Sequence, residues 1–157
     1  RDSVASRGLG DVYKRQMDSL ASLFFSEITM VDQLIRNKVN RILPKDLALS
    51  QFMLLNYLAT VSEERRPSYL AKLFQLTKGA MTNTLGKLES AGYIHITPDW
   101  EDARKKCIVI SPAGRKVRED SLKLIEPVIQ EVVETIGVEK MLIVLPIMRD
   151  LRTILKN

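Results

Sequence analysis

One cysteine, one histidine and one tryptophan in 157 residues leave little room for several kinds of chemistry. Cys107 can close no disulfide within its own chain, which sets aside a disulfide-stapled secreted scaffold and fits a reducing, cytoplasmic setting. His95 has no neighbouring ligand pattern, so neither a metal site nor a cofactor is expected. The sequence offers no histidine–nucleophile pair, glycine-rich phosphate loop or metal cluster, and no enzymatic activity is expected. No run approaches the roughly 18 consecutive apolar residues of a membrane span, and a secretory h-region is absent. Aromatic residues are scarce, at 6%. Leu, Ile, Val and Met therefore carry most of the 45% apolar fraction, a mix that suits helix-on-helix packing better than a β-sandwich. The formal net charge of +5 permits a phosphate-binding face without demanding one.

What is present is a sequence of amphipathic segments. Residues 1–16 are polar, carry two glycines and show no apolar stripe. They read as a non-native or disordered leader before a native start at Met17. A second reading makes them a basic arm through Arg1, Arg7, Lys14 and Arg15. From Met17 the apolar residues Leu20, Leu23, Phe24, Ile28, Val31, Leu34, Ile35, Val39 and Ile42 recur in steps of three and four, which predicts one long helix ended by Pro44. A second helix, apolar almost all round and therefore central, is expected from Ser50, its N-cap, through Val61. After a polar turn, Ser68 is expected to cap a short helix with Leu70, Leu73 and Phe74 inward. Thr77 is expected to cap the next, with Met81, Leu85 and Leu88 inward and Gly92 as its left-handed stop.

The period then changes. Tyr93–Thr97 and Cys107–Ser111 alternate like strands, with the charged stretch 98–106 between them, which predicts a β-hairpin with a polar tip. Ser111-Pro112 opens a long helix, cap then proline, that Gly137 closes. A last helix begins near Val138, and Pro146 is expected to kink or break it. The methionines fall on apolar stripes and read as core.

Ser68–Glu89 is the informative stretch. Two short helices with Ala71 at their crossing and Leu76 anchoring the turn have helix-turn-helix spacing. The outward residues of the second helix are Lys78, Gly79, Thr82, Asn83, Gly86 and Lys87, small, polar or basic and without a carboxylate. Such a face suits entry into a DNA major groove, where Asn can read adenine, Thr the thymine methyl, and Lys guanine or phosphate. On the hairpin, Arg104, Lys105 and Lys106 form a cationic tip. An arginine projecting there can enter the minor groove, and Asp102 can hold it in position.

The stretches LAKLFQLTKGAMTNTLGKLESAGYI and DARKKCIVISPAGR resemble the MarR family of winged helix-turn-helix transcription regulators, and the resemblance extends from about Met17 to the C-terminus. The family's Asp-x-Arg wing motif and Thr/Ser-Pro-x-Gly helix start correspond here to Asp102, Arg104, Ser111, Pro112 and Gly114. The resemblance implies that Lys78, Gly79, Thr82 and Asn83 face the major groove, that Arg104 enters the minor groove, and that Asp102 orients it. Asn83 stands where the family often has arginine, so no base preference carries over; Trp100 and Pro146 are further departures.

The expected fold class is mainly α with a small β-hairpin wing. Residues 49–111 would form the winged helix-turn-helix, and 17–48 with 112–157 the dimerisation helices. The terminal helices carry more apolar surface than one small head covers, which points to a homodimer whose heads meet successive major grooves of a pseudo-palindromic operator. The function expected is that of a bacterial regulator of double-stranded DNA targets, a repressor with no membrane partner, and the family resemblance implies its release by a small aromatic or anionic effector. Two other readings stand beside it: a winged-helix protein-interaction module, and a redox-responsive regulator using Cys107. A buried, inert thiol is the preferred reading of that cysteine.

Overall fold

The computed structural model describes residues 3–61, 65–98 and 106–156, with side chains described from residue 16 onward. The order is α1 (Ser3–Ile42), α2 (Leu49–Thr60), α3 (Pro67–Leu73), α4 (Lys78–Ser90), β1 (Ile94–Pro98), β2 (Lys106–Ile110), α5 (Pro112–Ile136) and α6 (Val138–Ile154). This is the succession that the hydrophobic periods predict. The chain divides into two units, Arg1–Arg41 and Ile42–Asn157.

The first unit is helix throughout its described length. α1 has 40 residues, about 60 Å at 1.5 Å per residue. It starts at Ser3, upstream of the apolar stripe that begins after Met17. A stripe marks which face seeks cover; helix formation itself needs only adequate propensity and no proline, and none precedes Pro44. An Arg36–Asp32 ion pair at 2.7 Å spans one turn, and the hydrogen bond that Arg36 Nε donates to Asp32 raises the Arg36 pKa. Along the stripe Leu20, Leu23, Val31, Leu34 and Ile35 are exposed.

The second unit holds the core. α2 contributes Phe52, Leu54, Leu55 and Leu58, and against them lie Leu70, Met81, Leu85, Leu88, Ile94, Ile108 and Ile125. α2 packs on α5 and on β2, α3 on α4, and α4 on β1. Central placement of α2 agrees with its apolar character, although Met53 is 49% exposed. Two expected caps lie elsewhere. α2 starts one residue before Ser50, with Ala48 at the N-cap position. Ala48 has no side-chain acceptor; instead its N–H donates to Gln51 Oε1 at 2.7 Å, so a glutamine in the first turn reaches back. α3 starts at Pro67, after Arg66, and not at Ser68. Proline's fixed φ suits the first helical position, where its missing N–H costs nothing.

α5 begins with Ser111 as cap and Pro112 at the first position, and ends at Gly137, whose φ is +86°. It contains Pro127. α6 runs unbroken from Val138 to Ile154 through Pro146. The expected break is absent: a proline removes one N–H bond and crowds the carbonyl of Leu142, while the rest of the ladder is kept. No residue of α6 is buried. Of the methionines with described side chains, only Met81 is buried, so the reading of the methionines as core fails for Met30, Met53 and Met148, which are exposed.

Candidate nucleic-acid interface

α3, the turn after it and α4 form one compact device. Leu70 and Ala71 are the buried residues of α3. The Ala71 carbonyl accepts the Leu76 N–H at 2.9 Å, which draws the turn back onto the helix. Gln75 has φ +54°, in the left-handed region that a side chain rarely adopts. Its Nε2 donates to the Lys72 carbonyl at 3.1 Å. Thr77 then caps α4 as expected, its Oγ1 accepting from the Ala80 N–H at 3.2 Å. Two sequence expectations fail here. Leu73 is 40% exposed and Leu76 39%, so neither is an inner anchor. The left-handed Gln75 and the capping Thr77 make the turn instead.

Met81, Leu85 and Leu88 pin one face of α4 to the core. On the opposite side Lys78, Gly79, Thr82, Asn83 and Lys87 are exposed, and Gly86 is half-buried. Thr82 Oγ1 donates to the Lys78 carbonyl at 2.8 Å, which fixes the rotamer and leaves the oxygen's lone pairs available. A Cβ built on Gly79 or Gly86 would meet nothing within 4 Å. Neither glycine is therefore required by packing inside the chain, although glycine within a helix costs about 1 kcal/mol relative to alanine. Gly79, Thr82, Asn83 and Gly86 are spaced i, i+3, i+4, i+7 and lie on one face.

Among the described residues, two concavities border α4. One, of about 530 Å³, lies at the turn among Ser68, Ala71, Lys72, Gln75, Leu76 and Lys78. The other, of about 740 Å³, has Asn83, Gly86, Lys87, Ser90 and Ala91 on one side and Lys45, Asp46, Ala48 and Gln51 on the other. Sequence reading missed the second, because nothing local links residue 45 to residue 87.

The hairpin pairs β1 with β2 antiparallel in the register Ile94↔Ile110 to Pro98↔Lys106. Arg65 adds a bridge on the outer side of β2 at Ile108, with Ile108 N–H donating to the Arg65 carbonyl at 2.8 Å. The stretch read as a plain polar turn thus lends the wing a third short partner. Lys106 opens β2 and is exposed. Asp102, Arg104, Lys105 and Trp100 lie outside the described residues. Cys107 is 4% exposed, and His95 is an exposed strand residue.

The base of the wing is locked to the start of α5. Ser111 Oγ donates to the Gly92 carbonyl at 2.6 Å and accepts from the Gly114 N–H at 3.0 Å. Gly92, with φ +73°, ends α4 in the left-handed conformation expected for it. A Cβ on Gly114 would overlap the Tyr93 carbonyl oxygen. The Ser-Pro-x-Gly sequence thus welds the end of α4, the start of β1 and the start of α5 at one point.

A helix-turn-helix followed by a two-stranded wing, set between long helices, defines a winged helix-turn-helix protein. Residues 45–105 match the family model described as MarR family. Solved structures of the same fold include S. aureus MepR bound to DNA (TM-score 0.75, 22% identity, covering 83% of this chain and 97% of that one). A mutant of E. coli MarR complexed with operator DNA aligns with TM-score 0.73 and 23% identity, covering 80% of this chain and 91% of that one. The transcriptional regulator BldR from Sulfolobus solfataricus gives TM-score 0.72 and 25% identity over 85% and 96%. No curated protein sequence is a significant match. The resemblance carried by the two sequence motifs thus meets a MarR-family match over residues 45–105, and the fold is the one these winged-helix structures share.

Proposed function

We propose that the protein is a homodimeric, sequence-specific reader of double-stranded DNA that works in the cytoplasm as a non-enzymatic repressor. The observation that carries the reading is the outward face of α4. Its side chains are small, polar or basic, and its two glycines stand in open space with no packing role in the chain. A face of this kind fits a major groove, in which bulk obstructs entry and carboxylates repel phosphate. Asn83 and Thr82 read base edges in this proposal, while Lys78 and Lys87 serve phosphate or guanine, and Gly79 lets the backbone close in. Arg104, positioned by Asp102, reaches the minor groove, and Lys105 and Lys106 hold the adjoining backbone.

The uncovered apolar residues of α1 and α6, among them Leu20, Leu34, Leu142 and Ile143, support the homodimer. Two-fold pairing would set the heads about 34 Å apart, matched to a pseudo-palindromic operator. Release by a small aromatic or anionic effector has the family resemblance as its support. A protein-docking winged helix would present apolar residues where α4 presents Lys78, Asn83 and Lys87. The burial of Cys107 speaks against a thiol sensor.

The test is fluorescence anisotropy with the upstream intergenic duplex and a scrambled duplex across a salt series. Tight, sequence-dependent and salt-sensitive binding is expected. Asn83→Ala should relax base preference, and Arg104→Ala should weaken binding to A·T-flanked sites. Unchanged affinity and preference in both variants would sink this placement of the reading head.

A further inference from the structure

The outward face of α4 does not stand alone. Its C-terminal half is one wall of the groove of about 740 Å³, and segment 45–51 is the other. Lys45 stands on one side and Lys87 on the other; both are exposed, and neither has an ion-pair partner among the described residues. The far wall is fixed in place. Gln51 is buried, and its Oε1 accepts the Ala48 N–H at 2.7 Å, which anchors the first turn of α2 beside the groove. The near wall is low at Gly86, where a Cβ would touch nothing within 4 Å. Asp46 is the one carboxylate among the lining residues.

The dimensions say what such a groove meets. A major groove is about 12 Å wide and edged by phosphates, and a helix with its side chains measures about 10–12 Å across. A helix lying in the groove therefore has a phosphodiester strand against its flanks. A segment that overlooks the outward face of that helix faces the strand directly.

We propose that this groove seats a stretch of DNA backbone, with Lys45 as a phosphate contact supplied from outside the helix-turn-helix, Lys87 facing it across the strand, and Asp46 opposing both. The inference rests on the DNA-reading proposal above and adds to it a contact that carries no sequence information. Lys45 contributes affinity, and Asp46 limits it.

Full-length Lys45→Gln and Asp46→Asn proteins, checked for unchanged thermal melting, are titrated by anisotropy against the upstream intergenic duplex and the scrambled duplex. Each dimer carries two copies of Lys45, so Lys45→Gln should lower the slope of log affinity against log salt by about 1.8. Raising salt from about 50 to about 200 mM then weakens the variant about 12-fold less than the unaltered protein. Both duplexes should lose affinity by the same factor. Asp46→Asn should act in the opposite direction, tightening both duplexes alike. An unaltered salt slope in Lys45→Gln, an effect confined to one duplex, or no gain in Asp46→Asn would overturn the proposal while leaving the reading face of α4 intact. Failure of the unaltered protein to bind any duplex would overturn both.

Discussion

Replacing Gly86 with alanine should move folding stability and DNA affinity in opposite directions. Gly86 lies well inside α4, nine residues into a helix of 13. An added Cβ meets nothing within 4 Å, so no clash offsets the gain in helix propensity. That gain is about 1 kcal/mol, which raises the melting temperature by roughly 2–4 °C for a chain of this size. The same methyl lies on the face proposed to meet the duplex, where it holds the helix away from the groove. Affinity should fall about tenfold or more, equivalent to about 1.4 kcal/mol. Denaturant titration reads the first quantity and anisotropy with the upstream duplex reads the second. A damaged fold cannot produce this pair of results, because it would lower both. Stability that falls would show that the space around Gly86 is not open. Improved stability with unchanged affinity would refute the assignment of the small-residue face to DNA.

Gly114 provides the contrasting case. There the added methyl overlaps the Tyr93 carbonyl, so Gly114→Ala should destabilise by about 1–3 kcal/mol despite its better helix propensity; a neutral or stabilised variant in denaturant titration would contradict the close approach at the wing base. Thr77→Ala removes the acceptor for the Ala80 N–H and should cost about 1 kcal/mol, measured the same way. Cys107 should resist a thiol reagent in the native protein and react at once in denaturant, since it is 4% exposed; rapid native reaction would reopen the redox reading. Leu142→Asp on α6, at a position 63% exposed in the single chain, should shift sedimentation toward monomer at micromolar concentration; unchanged sedimentation would move the dimer contact elsewhere.

The parts of this molecule that sequence made legible are those governed by local physics. The three-four spacing of Met81, Leu85 and Leu88 gave the inner face of α4. Thr77 and Ser111 were readable as caps because a hydroxyl before a helical pattern has one main use. Gly92 was readable as a stop because only a left-handed residue ends a helix that way. The strand pair was readable from its change of period, whereas its register, Ile94 opposite Ile110 and Ile96 opposite Ile108, is seen only in the folded chain.

What stayed illegible depends on chain segments meeting from a distance, or on competition between equivalent signals. Ser68 looked like a cap, but Pro67 ahead of it is the better first helical residue. Ser50 gave way to the reach of Gln51. Gln75 carries no signature for a left-handed turn, whereas a glycine there would have. An apolar stripe states that a face seeks cover without saying from where, so Leu73, Leu76 and Met53 read as core although the single chain leaves them exposed. The groove joining Lys45 to Lys87 and the crowding of Gly114 by Tyr93 need the folded chain to be seen at all.

Selection from a pool of random duplexes by the full-length protein addresses the central claim most directly, because it presupposes no operator. A two-fold dimer reading through α4 should enrich an inverted repeat whose half-sites are centred about 10 base pairs apart, and Asn83→Ala should blur one position in each half. A pool that stays random at low salt, or one that yields a single unrepeated motif, would contradict a homodimer that reads DNA through this face.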